Sequence, residues 1–312
     1  MRVLVLGAGG TGGYFGGRLA QSGADITFLV RPARAEQLHA HGLSLRSPLG
    51  DADIAVAHVT ADALPTLARE RPFDLVLLSC KAYDLDSAMA SAAPAVAANT
   101  AVLPILNGLA HYPLLDARFG AGRVLGGLCF ISAMKGPNGE VLHLGRPASI
   151  TFGERAGNPD SERTAAFAAL CARAGIDHVR SPRIASEQWA KYTFLSTLAA
   201  ATCLMRASVG GIVAGEGGDA FMRALYRECL AVAEAEGEPI AETAQQSALT
   251  TLTQSGSPLK ASMLRDLEAG QAVEAMQIVG DMLHRAQAAD QSAPLLAAAW
   301  CHLQAYELAR AN

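Results

Sequence analysis

Two hydrophobic rhythms divide this chain. Over the first 182 residues short, nearly continuous apolar runs recur at 2–6, 25–30, 73–79 and 100–106. Runs of that length, apolar at consecutive positions, mark strands buried on both faces of a parallel sheet. Helix-like stretches fall at 14–21 and 63–69, and another begins at residue 85. Shorter strand patterns lie at 43–46 and 53–58 around a turn at 47–50. Two more, at 124–134 and 141–144, flank the turn Gly136-Pro137-Asn138-Gly139. Strands alternating with helices predict a doubly wound α/β sheet.

After Ser181-Pro182 the rhythm becomes helical. Segments 184–205, 220–236, 240–253, 259–268, 272–289 and 292–311 carry apolar residues at helical spacing, and Gly237, Gly256 and Gly270 punctuate them. No strand-like run follows. The expected organisation is an α/β domain over 1–182 and an all-α domain over 183–312. They are joined without a long flexible linker and so are expected to form a cleft.

The first run leads straight into Gly7-Ala8-Gly9-Gly10-Thr11-Gly12, a G-x-G-x-x-G between a buried strand and a helix start. In that context the pattern is a dinucleotide-binding turn. Gly7 permits the turn, Gly9 lets a pyrophosphate approach the backbone, and Gly12 lets the helix pack on the strand. The N–H groups at the helix start then face phosphate. The second run ends at Arg31-Pro32-Ala33-Arg34, and no Asp or Glu follows until Glu36. A carboxylate at this strand end suits the ribose 2′-hydroxyl of NAD, whereas an arginine suits the 2′-phosphate of NADP. Arg31 therefore points to NADPH, with Arg34 as a second candidate.

Composition narrows the function classes. The chain is 51% hydrophobic and 17% charged, with a net charge of −4 and no basic run, which argues against a nucleic-acid partner. The longest apolar run, 192–205, holds Ser and Thr and is too short to span a bilayer, so no membrane role is expected. Six scattered cysteines without a C-x-x-C suit reduced thiols. The first strand pattern starts at residue 2, so no leader is expected. A cytoplasmic protein is expected. The histidines show no metal-ligand spacing, and no metal is expected. An all-α second half rich in apolar helices suits a homodimer.

Only four cations are lysines (Lys81, Lys135, Lys191 and Lys260), against 21 arginines. A lysine retained in such a chain is a candidate for work that needs an ammonium able to give up a proton. Lys81 and Asn107 follow two of the predicted strands, where open α/β sheets bind ligands. Lys191 lies within an apolar helix pattern, Ser262 in Ser-Met-Leu-Arg-Asp, and Glu274 farther along.

These residues together resemble the ketopantoate reductases (2-dehydropantoate 2-reductases). The resemblance covers nearly the whole chain. It rests on the glycine loop, Arg31, Lys81 in Ser-Cys-Lys-Ala-Tyr, Asn107-Gly108, Glu187-x-Trp189-x-Lys191, Ser262-Met263-Leu264-x-Asp266 and Glu274. It implies a Rossmann domain followed by a helical domain, and NADPH-dependent reduction of a 2-keto acid, ketopantoate to pantoate in pantothenate biosynthesis. It also implies Lys191 as the proton donor, Asn107 touching cofactor and substrate, and Glu274 near the lysine and the nicotinamide ribose. Ser262 would hold the substrate carboxylate. The chemistry agrees: reducing a 2-keto group builds negative charge on its oxygen, which a positioned ammonium stabilises and then protonates.

One part of the pattern is missing. The resemblance implies asparagines four, eight and about eighteen residues after the lysine, but here stand Leu195, Ala199 and, at about the third position, Val209. Leu259 stands where a polar residue is implied, with Lys260 beside it. A more apolar 2-keto acid or other carbonyl substrate is therefore an alternative, as is an NADP(H)-binding protein without catalysis.

Overall fold

The structure, a computed structural model, describes residues 1–311. Its contacts divide the chain into two compact units. One comprises residues 1–106 and 112–184, the other 107–111 and 185–312.

In the first unit the chain runs β1 (Arg2–Leu6), α1 (Gly10–Gln21), β2 (Asp25–Leu29), α2 (Pro32–His41), β3 (Leu43–Arg46), β4 (Ala52–Ile54), β5 (Ala57–Val59), α3 (Leu64–Glu70), β6 (Leu75–Leu78), α4 (Leu85–Ala92) and β7 (Ala101–Pro104). It continues through α5 (His111–Phe119), β8 (Gly126–Lys135), β9 (Val141–Gly153), α6 (Glu162–Arg173) and β10 (Asp177–Arg180). Five strands form a parallel sheet in the order β5-β2-β1-β6-β7. β1 is buried at all five positions, as its continuous apolar run predicts. Pro104 closes β7 at the sheet edge, where a missing N–H costs no ladder bond.

The doubly wound parallel sheet is as expected, but it does not hold all the strands. β3, β4, β8, β9 and β10 make a second, mixed sheet, built on a long antiparallel β8–β9 hairpin. β9 runs on to Gly153, well beyond the expected strand at 141–144.

Helix α1 explains how both sheets are held. It contains five glycines, an unfavourable composition for a helix interior. All five sit where a side chain has little or no room, Gly10 against the Ala133 carbonyl of β8. A Cβ at Gly12 or Gly16 would meet Ser79 or the Phe28 ring, on the parallel-sheet side. One at Gly13 or Gly17 would meet Val141 of β9 or Leu43 of β3, on the other. The helix is thus pressed between two sheets, at the cost of intrinsic helix propensity.

The second unit is all helical apart from its loops: α7 (Ile184–Met205), α8 (Val209–Val213), α9 (Gly218–Ala235), α10 (Glu242–Leu252), α11 (Ser262–Glu268), a π-helical turn (Met276–Gly280), α12 (Asp281–Ala288) and α13 (Pro294–Ala311). Its core gathers around α7, which buries Leu198, Ala199, Ala200, Ala201 and Cys203. The buried Thr197 and Thr202 hydroxyls donate to carbonyls one turn back, so this helix carries polar groups at little cost.

Two expected helices start late. Residues 257–259 pair with the start of α8, Val209 N–H donating to the Leu259 carbonyl and Gly210 N–H to Ser257. Residues 271–274 are held by α13: Tyr306 donates to the Gln271 carbonyl, and Val273 N–H donates to Glu307. Tertiary hydrogen bonds override helical pattern in both places. Among the described residues, no helix is long and apolar enough to cross a membrane.

Candidate active site

In the first unit, the loop Gly7–Gly9 leaves the carboxyl end of β1 and enters α1. Gly7 has φ +91°, a conformation that glycine adopts freely, and its N–H donates to the Leu29 carbonyl. Gly12 is fixed by packing, since a Cβ there would lie 2.5 Å from the Gly7 carbonyl oxygen. That site is braced by Ser79, whose hydroxyl donates to the Leu6 carbonyl at 2.8 Å.

Gly9 differs. A Cβ there meets no atom within 4 Å, so nothing in the protein itself requires glycine. Gly9 is also the N-cap of α1. The cap supplies no side-chain hydrogen bond, and the first turn carries no acidic residue. Open space, unpaired helix-start amides and absent negative charge are what a pyrophosphate requires. The loop fits the dinucleotide that the sequence implies.

Arg31 follows β2 as the N-cap of α2. Its guanidinium is 78% exposed and pairs with Asp84 at 3.0 Å. Lys81 is half-buried at the end of the β6 segment, and its carbonyl accepts the Asp84 N–H. Arg34 has a different task from Arg31. It donates to the Ala8 carbonyl at 2.9 Å and to Gln37, and burial pulls its pKa down. It braces the glycine loop from behind.

The second unit brings two distant motif elements together. Lys191, half-buried on α7, donates from Nζ to Oδ1 of Asn107 at 3.1 Å. Asn107-Gly108 is more than a generic turn. Gly108 has φ +76°, and a Cβ there would lie 2.4 Å from the Gln277 carbonyl oxygen in the π-helical turn. The turn is seated closely enough to aim Asn107 at the lysine.

The residue next to Lys191 anchors the same region. Tyr192 is buried, and its hydroxyl lies 2.7 Å from Asp281 Oδ2 and 3.1 Å from the Ile278 carbonyl. Asp281 in turn pairs with Arg285 at 2.9 Å, and Arg285 with Glu236 at 2.9 Å. Burial, then the Asp281 charge, pushes the Tyr192 hydroxyl well above its ordinary pKa, so it stays protonated and donates. Trp189 packs against Tyr192, with Arg285 over its ring. The sequence reading missed Tyr192, Asp281 and Arg285. The only signal was a buried aromatic beside the lysine.

The remaining expected residues lie on other segments of the second unit or farther along α7. Glu274 is 6% exposed, immediately before the helical turn that starts at Ala275. Ser262 is the exposed first residue of α11. Lys260 pairs with Glu268 at 2.7 Å. Leu195 and Ala199 lie one and two turns beyond Lys191 on α7. Leu195 is half-buried against the helical core and Ala199 is completely buried. Val209 is completely buried.

Comparison with known proteins accords with this geometry. The family described as ketopantoate reductase PanE/ApbA matches residues 3–157, and its C-terminal counterpart matches residues 183–307. The chain belongs to the ketopantoate reductase family. It is accordingly an NADP-dependent oxidoreductase. It is 35% identical to the uncharacterized oxidoreductase YkpB of Bacillus subtilis, over 98% of this chain and 99% of that one. It is 28% identical to a 2-dehydropantoate 2-reductase of Mesorhizobium japonicum, over 95% of this chain and 94% of that one. A crystal structure of a PanE/ApbA family ketopantoate reductase from Ralstonia eutropha superposes with a TM-score of 0.88 at 26% identity, covering 100% of both chains.

Proposed function

We propose that this reductase uses NADPH to reduce a 2-keto acid to a 2-hydroxy acid, with Lys191 as the proton donor. The observation that carries this reading is the Asn107–Lys191 hydrogen bond. It joins two motif elements 84 residues apart in sequence into one chemical unit. NADPH, when bound, supplies the reducing hydride. The Gly7–Gly12 loop and the start of α1 hold its pyrophosphate, Arg31 meets the 2′-phosphate, and Lys81 adds positive charge. Asn107 serves both cofactor and substrate.

Lys191 holds a proton where negative charge grows on the substrate carbonyl oxygen, and hands it over. An ammonium has three donors, and Asn107 takes one, which restricts the rotation of the other two. Glu274, a buried carboxylate, favours the charged form of the lysine. Ser262 at the start of α11 receives the substrate carboxylate.

Ketopantoate, with a place in pantothenate biosynthesis, is the first substrate of this proposal. A specific observation favours a second one. Leu195 and Ala199, on the same helix as Lys191, offer no hydrogen bond to a substrate hydroxyl, and Ala199 is sealed in the core. A 2-keto acid with an apolar side chain suits Leu195 better. NADPH oxidation followed with ketopantoate and with branched 2-keto acids lacking the hydroxyl tests both readings. The reductase proposal fails if no 2-keto acid is turned over.

A further inference from the structure

The residue types that ordinarily choose between NAD and NADP are both present here, and they are bound to each other. An acidic residue at this strand end serves the ribose 2′-hydroxyl, and an arginine serves the 2′-phosphate. β2 supplies only the arginine. The carboxylate comes from a different element, the short 3₁₀ turn Ala82–Asp84 that follows β6. Asp84 Oδ1 lies 3.0 Å from Arg31 Nη2, and the two side chains are 39% and 78% exposed.

We propose that Asp84 is a cofactor-selectivity residue that competes with the 2′-phosphate of NADPH for Arg31. The inference rests on the reading that Arg31 receives that phosphate. A phosphate monoester carries a charge of about −1.5 to −2 at pH 7. Binding it to Arg31 means either displacing Asp84 or holding two anions on one guanidinium. NADH, which has no such phosphate, meets neither cost. Asp84 therefore lowers the preference for NADPH below what Arg31 alone provides.

The size of the effect follows from exposure. Both groups face water, and exposed pairs of this kind couple weakly. As N-cap of α4 the Asp84 side chain makes no capping hydrogen bond, so its replacement removes none.

The test is equilibrium binding, read by NADPH and NADH fluorescence and by calorimetry, with no turnover involved. The proteins are wild type, Asp84→Asn, Asp84→Ser, Arg31→Ala and the double variant Arg31→Ala/Asp84→Asn. Asp84→Asn and Asp84→Ser are expected to tighten NADPH about two- to fivefold, the span of an exposed ion pair, and to leave NADH within about twofold. The gain should shrink at high salt. It should vanish in the Arg31→Ala background.

The proposal is overturned if both Asp84 variants weaken NADPH, which would mean that Asp84 orients Arg31 for the phosphate. It is equally overturned if they leave NADPH affinity unchanged, or if the gain persists without Arg31. Should Arg31→Ala keep the wild-type preference, the Arg31 reading itself falls and takes the proposal with it. That result is distinguishable because it appears in the single Arg31 variant.

Discussion

Oδ1 of Asn107 accepts a hydrogen bond from the Lys191 ammonium at 3.1 Å, and Gly108 presses the same turn against the Gln277 carbonyl. Lys191, the proposed proton donor, is therefore aimed by a backbone turn that has no room to shift. Lys191→Ala is expected to lower kcat by about 10²- to 10⁴-fold, the range for a positioned general acid. The NADPH dissociation constant should change far less, because the residues proposed to bind its phosphates lie in the other unit. Steady-state kinetics on the best 2-keto acid, beside a cofactor titration, checks this. Near-normal turnover would remove Lys191 from the chemistry.

Gly108→Ala is expected to act on the same bond without touching a reacting group. Its Cβ would collide with a backbone carbonyl, and a positive φ adds strain. Overpacking of this sort costs about 1–3 kcal/mol. A lowered melting temperature with a parallel fall in kcat is expected. An unchanged melting temperature would show that the turn can move.

Two glycines of one loop should answer the same substitution differently. Gly12→Ala meets Ser79 and the Gly7 carbonyl, so it should destabilise the first unit by about 1–3 kcal/mol. Gly9→Ala meets nothing, so it should leave the melting temperature unchanged. It should nevertheless weaken NADPH binding, because the added methyl occupies space that a pyrophosphate needs. Thermal melts with and without NADPH separate the two. Unaltered NADPH affinity in Gly9→Ala would argue against phosphate at that loop.

Arg31→Ala is expected to reduce the NADPH-over-NADH preference. A charge-assisted contact to phosphate is worth about 1.5–3 kcal/mol, or roughly ten- to a hundredfold. Because Asp84 already occupies this guanidinium, the measured loss should lie near the lower end. Titration of both cofactors reads it directly.

Substrate choice is open to a single substitution. Leu195 is half-buried and can be exchanged, whereas a polar residue at the sealed Ala199 would lack a hydrogen-bond partner at about 1–3 kcal/mol. Leu195→Asn is expected to move kcat/KM toward ketopantoate and away from its hydroxyl-free analogues by a few-fold to about tenfold. A wild-type preference for ketopantoate of several thousandfold would show that other residues read the hydroxyl.

Much of this was legible in the sequence, for physical reasons. Buried parallel strands carry continuous apolar runs, so β1 and β6 stood out. α7 was visible at 184–205 because no glycine or proline interrupts it. Helix α2 was not visible: it begins at Pro32 and buries only Leu38, so its pattern is that of a polar loop. The second sheet was hidden because a hairpin's partners are set by tertiary packing. Along the chain the end of β2 lacks an acid until Glu36. Asp84 arrives there from another element 53 residues on, a proximity that no local pattern encodes. Tyr192–Asp281–Arg285–Glu236 was hidden for the same reason.

The brief passage of residues 107–111 into the helical unit has a genetic consequence. A crossover between two relatives near residue 184 looks like a clean exchange of halves, yet it gives Lys191 from one parent and Asn107, with its Gly108 turn, from the other. The partners must then have remained compatible in both lineages for the hybrid to work. A swap that moves 107–111 together with 185–312 keeps the pair intact, and such hybrids should outperform the simpler ones made at a single junction.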